Sequence, residues 1–367
     1  MNGSHRSWAY WVCRMPEVDA RRILEAAQRL EQGRLVAFPT ETVYGLGADA
    51  ENPQAVAHLY AIKGRPASHP VIVHLSPETD PAYWAGHLSP VAQRLISAFW
   101  PGPLTLILPR AAHIPDVVSG GQDSIGLRCP SHPVAQMLLH AFAGLKPHGQ
   151  GGVAAPSANL FGHVSPTRAA HVRREFPTLD EQALMILDGG EAEVGIESTI
   201  LDVSRLESGR PPVLLRPGQI GTVQLADILG EPPASPDAGA PRASGSLKAH
   251  YAPRTPLQIQ SRVALQGWLD ARRGHAAARA ATAHPGPEAH VPRVAIIGLG
   301  PAPGPLPPGV QWVALPADPA VYAHRLYALL RELDEAGLQQ ILLQELPDEA
   351  LWQGVNDRIT RAAAAFS

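Results

Sequence analysis

The chain has 367 residues, more than one hydrophobic core usually holds, so two domains are expected. A hydrophobic fraction of 45% is that of a globular protein, and a net charge of −3 excludes a protein whose main task is to coat nucleic acid. The apolar runs are too short to cross a bilayer, no secretory signal is expected, and two cysteines exclude a disulfide framework or a cysteine zinc site. A cytoplasmic location fits these features.

The first 230 residues predict short strands and helices in mixed order. An amphipathic pattern predicts a helix over Glu17–Gln32, and the apolar run Leu35–Phe38 predicts a buried strand. The further predicted strands are Val71–Leu75, Leu104–Leu108, Ser124–Cys129, Gly152–Ala155, Leu184–Leu187, Ser198–Val203 and Val213–Leu215. The further predicted helices begin at Asn52 or Pro53, at Leu88, at Pro133 and after a capping Thr167. This order predicts an α/β domain around one twisted, mixed sheet.

The stretch Phe38–Gly47, FPTETVYGLG, follows the first strand and gathers three hydroxyl side chains and one carboxylate. Gly45 and Gly47 close it and allow backbone angles that other residues avoid. Such a loop on a rigid strand suits a small polar ligand, and a plain strand-to-helix turn is the alternative.

A linker and a second domain follow. Residues 231–256 are rich in Pro, Ala, Ser and Gly, yet they also carry Lys248, His250 and Tyr251, which a plain spacer does not need. Strands and helices alternate over 257–367, which predicts a smaller Rossmann-like α/β domain with a parallel sheet. Its predicted elements are the strands Leu257–Gln260, Arg293–Ile297, Gln311–Leu315 and Gln340–Leu343, the helices Val263–Arg272, Tyr322–Glu335 and Trp352–Ala365, and a loose insert over Ala276–Pro292.

Several cations stand at predicted strand and helix ends, beside loops that carry serines. Lys63, Arg65, Arg128 and Arg216 can converge there on phosphate groups, or each can be ordinary solvated surface charge. His74 is either a core histidine or a ligand, and Glu197 either positions an ammonium group or caps a turn.

Other catalytic templates fail. The chain has no G-x-x-x-x-G-K-[ST] and no G-x-S-x-G, and its 16 histidines show no zinc spacing. The segment Gly298–Gly300 mimics a dinucleotide fingerprint, but the prolines that begin at Pro301 block the helix that should follow.

Seven motifs together resemble a known family. FPTETVYGLG is followed in order by KGRP (63–66) with VIVH (71–74), WPGPLTLIL (100–108), LRCPSHPVA (127–135), APSANLFGHVSPT (155–167), IESTILDV (196–203) and LLRPGQI (214–220). This series resembles the L-threonylcarbamoyl-AMP synthase family, which has a YrdC-like fold, in its long two-domain form. The resemblance is strong over about residues 17–260 and extends to the tail by general layout.

The resemblance implies a YrdC-like catalytic domain over residues 15–230, a linker that folds back as a lid over 231–256, and an accessory domain over 257–367. It implies an enzyme that joins L-threonine, bicarbonate and ATP, with Mg²⁺ bound to the nucleotide, and releases pyrophosphate. Downstream tRNA threonylcarbamoyltransferase proteins would then modify the adenosine beside the anticodon, and the first step needs no stable binding of nucleic acid or membrane.

The resemblance also implies which residues hold each substrate. One departure is His69, where the family often has asparagine; a neutral imidazole can still donate one hydrogen bond to ATP. The implied catalytic residues are Lys63, Arg65, Ser157 and Asn159; those facing ATP are Arg65, His69, Ser124, Ala155, Ser157, Ser165, Arg216 and Tyr251; those holding threonine, with Arg128 on its carboxylate, are Thr42, His74, Arg128, Ala155 and Ser198. No protein side chain is expected to fix a metal.

Three rival functions are considered. A cationic concave face would suit an RNA-binding module, but the net charge is −3 and no aromatics interleave the cations. A carbamoyltransferase of the hydrogenase-maturation kind would need zinc-finger cysteines, which two cysteines cannot supply. The third is a regulatory ATP-binding protein without turnover.

Overall fold

A computed structural model of the chain describes residues 19–281 and 293–367. The predicted domain start at residue 15 and the part of the insert over 282–292 lie outside the described residues. By their contacts, the residues form two units. Of the described residues, the first unit holds 19–161 and Ser165–Ser246, and the second holds Gly162–Val164, 247–281 and 293–367.

The first unit contains nine strands and seven α-helices among its described residues. In chain order they are α1 (Ala20–Glu31), β1 (Leu35–Phe38), β2 (Gly45–Asp49), α2 (Pro53–Lys63), β3 (Ile72–His74), α3 (Pro81–Trp84), α4 (Pro90–Phe99), β4 (Leu104–Pro109), β5 (Ser124–Arg128), α5 (Pro133–Leu145), β6 (Val153–Ala154), α6 (Ala169–Glu175), β7 (Leu184–Ile186), β8 (Thr199–Asp202), β9 (Val213–Arg216) and α7 (Thr222–Leu229).

The nine strands form one mixed sheet in the order β7-β1-β2-β6-β3-β5-β4-β8-β9. β3 and β5 run parallel, as do β1 with β7 and β4 with β8, while the other neighbours are antiparallel. The predicted mixed α/β sheet is therefore confirmed. Its faces are covered by helices, and apolar side chains such as Trp84, Phe38 and Phe142 are fully buried there.

Proline begins many of the helices. Pro53, Pro81, Pro90 and Pro133 each occupy the first turn, where the missing N–H breaks no helical hydrogen bond. The preceding side chain caps each helix, as when Asn52 accepts hydrogen bonds from the backbone N–H groups of the first turn. These four prolines therefore mark helix starts.

Two local predictions were wrong. Gly45 and Gly47 lie in strand β2 instead of closing a ligand loop, and a Cβ at Gly47 would meet the Phe38 ring at 2.9 Å. Glycine is needed there for close packing rather than for unusual backbone angles. Thr167 does not cap α6: the cap residue is Arg168, and the backbone N–H of Thr167 donates to the His171 ring.

The second unit contains a smaller, wholly parallel sheet in the order β10-β13-β11-β12, which confirms the Rossmann-like prediction. The helix predicted to end at Arg272 continues to Ala281, so the first part of the predicted insert is helical. No helix in the described part of the chain is long and apolar enough to span a membrane. The elements are β10 (Leu257–Gln260), α8 (Arg262–Ala281), β11 (Val294–Leu299), β12 (Val310–Leu315), α9 (Pro319–Glu335), β13 (Gln340–Gln344) and α10 (Gln353–Ala363).

Candidate active site

The loop after β1 meets the end of β5 through a chain of hydrogen bonds. Arg128 Nη1 donates to Thr42 Oγ1 at 2.9 Å, and Thr42 Oγ1 lies 2.9 Å from Thr40 Oγ1. The Thr40 hydroxyl donates to the Val43 carbonyl at 2.6 Å, so the remaining hydroxyl proton of Thr42 points to Thr40. Glu41 completes the cluster, because its carboxylate lies 2.6 Å from Arg128 Nη2. The loop therefore holds the Arg128 guanidinium, at the end of β5, in a fixed orientation.

His74 ends β3 directly beside Arg128, with which it pairs in the parallel register. Its ring is buried and meets Phe38 edge-on at 6.2 Å. Burial first, and then the charge of Arg128, lower the pKa of His74 to about 3. The imidazole is neutral near pH 7 and can accept or donate a hydrogen bond without adding charge.

The K-x-R and S-x-N motifs meet in space. Lys63, at the end of α2, donates from Nζ to the backbone carbonyl of Ser157 at 2.6 Å and to that of Asn159. Burial first, and then the charge of Arg65, lower the pKa of Lys63 well below its usual value. Lys63 thus fixes the loop that carries Ser157 and Asn159.

Arg65 and Arg216 are joined by one residue of the linker. Arg65 Nη2 donates to the Pro70 carbonyl at 2.6 Å and to Ser244 Oγ at 3.3 Å. Arg216 Nη1 donates to the Ser244 carbonyl at 2.9 Å, and its other nitrogens donate to Ser198. Residues 231–246 therefore belong to the first unit, where Ser244 lies between two guanidiniums.

Two serines of the later motifs have side-chain partners. Ser198 Oγ lies 2.8 Å from Thr105 Oγ1, and Thr105 stands opposite Arg128 when the β4–β5 register is continued by one residue. The Ser165 hydroxyl donates to the buried carboxylate of Glu197. Glu197 therefore positions Ser165, a residue that is predicted to face ATP. Neither of the two roles predicted for Glu197, positioning an ammonium group or capping a turn, is tested by this contact.

Strand β3 lines up the implied threonine and ATP residues. Its last residue, His74, pairs with Arg128, and the carbonyl of its first residue, Ile72, accepts from the backbone N–H of Ala155. Pro70, two residues before the strand, accepts from Arg65. From Pro70 to His74 the chain advances four residues, or about 13 Å at ~3.3 Å per extended residue. Ala155 lies between them, where the resemblance placed a residue close to both ligands.

His69 and Ser124 lie toward the Arg65 end of this line. Continuing the β3–β5 register places Ser124 opposite Pro70, although no side-chain hydrogen bond links Ser124 to another described site residue. The His69 ring packs edge-on against Phe161 at 5.5 Å. Burial and the charges of Arg65 and Arg242 lower the pKa of His69, so its ring is neutral.

Tyr251 lies in the second unit. It is 1% exposed, its ring stacks on Tyr327 at 5.8 Å, and Arg358 lies over its face at 5.2 Å. Its φ of 62° is left-handed, which is rare for a bulky residue. The expected contact of Tyr251 with ATP remains a prediction.

Sequence reasoning missed two participants. Ser244 stands in a stretch that reads as a spacer, and no residue of that stretch was singled out from the sequence. Glu41 was noted as the single carboxylate of its stretch, but its buried ion pair with Arg128 depends on a strand far away in sequence.

The residues present fit a metal ion that arrives with a nucleotide. Among the described residues, no group of three or more histidines, cysteines, aspartates or glutamates could hold a metal. Near the S-x-N loop the side-chain oxygens include those of Ser157 and Asn159 and the carboxylate of Glu175, which accepts from the Leu160 backbone N–H at 2.9 Å. Mg²⁺ commonly takes most of its ligands from phosphates and water. The Mg²⁺ that is expected to arrive with ATP stays a prediction.

The second unit has a cavity of its own, of about 540 Å³, at the carboxyl ends of β11 and β13. No helix follows Gly298–Gly300, as the prolines predicted, and the Trp312 indole N–H donates to the Gly300 carbonyl at 2.9 Å. Its lining includes Arg262, Gln266, Leu299, Pro301, Trp312 and Gln344.

The fold and the site together define a YrdC-like α/β domain followed by a parallel-sheet domain. Residues 28–218 match the Sua5, YciO and YrdC family model, described as telomere recombination, and residues 219–364 match the model of the threonylcarbamoyl-AMP synthase C-terminal domain. The chain belongs to the threonylcarbamoyl-AMP synthase family, as its motifs suggested.

Individual relatives agree with this assignment. The chain is 33% identical to the threonylcarbamoyl-AMP synthase of Pyrococcus abyssi over 94% of this chain and 95% of the relative. It is 41% identical to that of Bacillus subtilis over 65% and 66%. The crystal structure of P. abyssi Sua5 complexed with L-threonine matches with a TM-score of 0.78 and 30% identity, covering 96% of both chains.

Proposed function

We propose that this chain makes L-threonylcarbamoyladenylate from L-threonine, bicarbonate and ATP, with release of pyrophosphate, in the cytoplasm. One observation carries the proposal: strand β3 places Arg128 with Thr42 at one end and Arg65 at the other, with Ala155 between them. An amino acid joined through a carbamate to a nucleotide α-phosphate is a ligand of that length and charge distribution. Family membership points to the same reaction.

At the amino-acid end, Arg128 would pair with the threonine carboxylate, since a guanidinium matches a carboxylate with two parallel hydrogen bonds. Thr42, Ser198 and the neutral His74 would orient the rest of the substrate. Held in this way, the threonine amine attacks the carbon of bicarbonate, the bond from that carbon to the hydroxyl breaks, and water leaves with an amine proton to give a carbamate. The protein supplies position rather than a nucleophile, and positioning alone lowers such barriers substantially.

At the nucleotide end, Arg65 and Arg216 would bind phosphate oxygens, and Lys63 would keep the S-x-N loop in place beside them. A carbamate oxygen attacks the α-phosphorus, the bond to the β-phosphate oxygen breaks, and pyrophosphate leaves. When bound, Mg²⁺ would supply further charge neutralisation on the phosphates, next to Ser157 and Asn159. Fixed cations stabilise the charge that develops on the phosphate oxygens.

The product is a mixed anhydride, which water hydrolyses readily. A linker that covers the site would protect it, and Ser244 is the linker residue that reaches Arg65 and Arg216 in this structure. The next reaction must transfer the threonylcarbamoyl group to an amine, which we assign to partner proteins that act on tRNA.

The proposal is tested by incubating the protein with ATP, Mg²⁺ and bicarbonate, with and without threonine, in the absence of RNA. Threonine-dependent pyrophosphate release and a mass corresponding to threonylcarbamoyladenylate are expected. An RNA-binding module or a regulatory ATP-binding protein would give neither product, and that result would overturn the assignment. Arg65→Gln is the matched inactive variant, because it keeps a hydrogen-bonding side chain but loses the charge.

A further inference from the structure

The carboxylate of Glu41 is buried against the guanidinium of Arg128, which the proposed function assigns to the threonine carboxylate. The side chains of Glu41 and Arg128 are each 4% exposed, and Glu41 Oε1 lies 2.6 Å from Arg128 Nη2. The other carboxylate oxygen accepts a hydrogen bond from the Ser131 backbone N–H at 3.1 Å. Glu41 is therefore fixed at both oxygens.

The rest of the guanidinium also faces oxygen. Arg128 Nη1 donates to Thr42 Oγ1 at 2.9 Å, and Nε donates to the Gly102 carbonyl at 3.3 Å. The contact between Nη2 and Glu41 is short, but it lacks the angle of a hydrogen bond. Glu41 is the charged partner of Arg128, and a substrate carboxylate with better alignment can replace its contact with Nη2.

Glu41 is the only carboxylate that forms an ion pair with Arg128 among the residues that the structure describes. The adjacent His74 is neutral, and Glu197 is bound to Ser165. Without Glu41 the buried guanidinium would have no counter-charge, which is costly in a protein interior. A substrate carboxylate that enters while Glu41 remains places two like charges on one cation.

We propose that Glu41 is an internal stand-in for the threonine carboxylate: it neutralises Arg128 in the empty site and weakens threonine binding by competing for the same guanidinium. Glu41 thereby sets the affinity for the amino acid and holds Arg128 in position between turnovers. This inference rests on the proposed function, because it takes threonine as the ligand of Arg128.

The test measures threonine binding by calorimetry in wild type and in Glu41→Gln, without ATP. Glutamine keeps the shape and can still accept from the Ser131 N–H, but it carries no charge. We expect Glu41→Gln to bind threonine about tenfold more tightly, a modest effect for one close charge. Without ligand, we also expect Glu41→Gln to have a lower melting temperature than wild type. Threonine should raise the melting temperature of Glu41→Gln by more than it raises that of wild type.

L-Threoninamide, which has no carboxylate, is the matched ligand, and its affinity should not rise in Glu41→Gln. Glu78→Gln is the matched protein control, because Glu78 is a largely exposed glutamate paired with His140. If Glu41→Gln does not fold, Glu41→Asp serves instead: its retracted carboxylate should raise threonine affinity by a smaller factor.

Unchanged or weaker threonine binding in the folded variants would overturn the inference, as would an equal gain for threoninamide. If wild type itself does not bind threonine, the proposed function fails. Binding to wild type with no carboxylate-dependent gain in the variants leaves that function standing and removes only the role of Glu41.

Discussion

Replacing His74 with glutamine should remove part of the acid sensitivity of the first unit. Burial and the charge of Arg128 lower the pKa of His74 to about 3, whereas an unfolded histidine titrates near ~6.5. Between these two pKa values, His74 is protonated in the unfolded chain and neutral in the folded chain. The contribution of His74 to stability is complete above pH ~6.5 and is lost as the pH falls toward 3.

The size of this loss follows from the two pKa values. Between pH 7 and pH 5 the unfolded histidine becomes almost fully charged while the folded one stays neutral, which costs about 2 kcal/mol at ~1.36 kcal/mol per pH unit. Continued to the folded pKa, the loss approaches about 5 kcal/mol. Typical domains have about 5–15 kcal/mol of stability, so the effect is measurable.

The assay is urea unfolding at pH 7 and pH 5, read by pulsed hydrogen exchange of peptides from β3 and β5 so that it reports on the first unit. His74→Gln should lose about 2 kcal/mol less than wild type between the two pH values, whatever its absolute stability. Equal losses in wild type and His74→Gln would show that His74 titrates normally and that the reasoning is wrong.

Two further predictions concern other parts of the chain. Lys63→Met should lower kcat at least ~100-fold in the pyrophosphate assay while the fold persists by circular dichroism, because the S-x-N loop loses the side chain that anchors it. Gly298→Ala should destabilise the second unit by about 1–3 kcal/mol in thermal unfolding, because its Cβ would lie 2.0 Å from the Trp312 ring. Gly274→Ala, in open space on α8, should instead be neutral or stabilising, and an equal loss in both would refute the packing argument.

The sequence predicted the elements best where a local signal was complete. Leu35–Phe38 and Leu257–Gln260 are strands with the predicted bounds, because each is a short run between turn residues. The bounds were wrong where tertiary packing decides. Gly45 and Gly47 became a strand because Phe38 and Val153 pack against it, and neither contact is visible locally.

The site shows the same division. The family resemblance implied that Thr42 and Arg128 hold the same ligand, and the structure places the two side chains in contact. The resemblance did not reveal that Ser244 would lie between Arg65 and Arg216, because hydrogen bonds to a backbone carbonyl and one hydroxyl leave almost no mark on composition. Contacts made by backbone atoms are set by the fold, so a single sequence hides them.

The two ends of the site differ in charge, and the difference matches the proposed ligands. At the nucleotide end, burial first and then the charge of Arg65 lower the pKa of Lys63 and of His69, and the guanidiniums of Arg65 and Arg216 supply positive charge beside Ser244. At the amino-acid end, Glu41 already neutralises Arg128. A triphosphate carries several negative charges, whereas threonine is a zwitterion with none net. An excess of positive charge at one end and a balanced pair at the other therefore favour each substrate at its own end, before any contact with substrate is made.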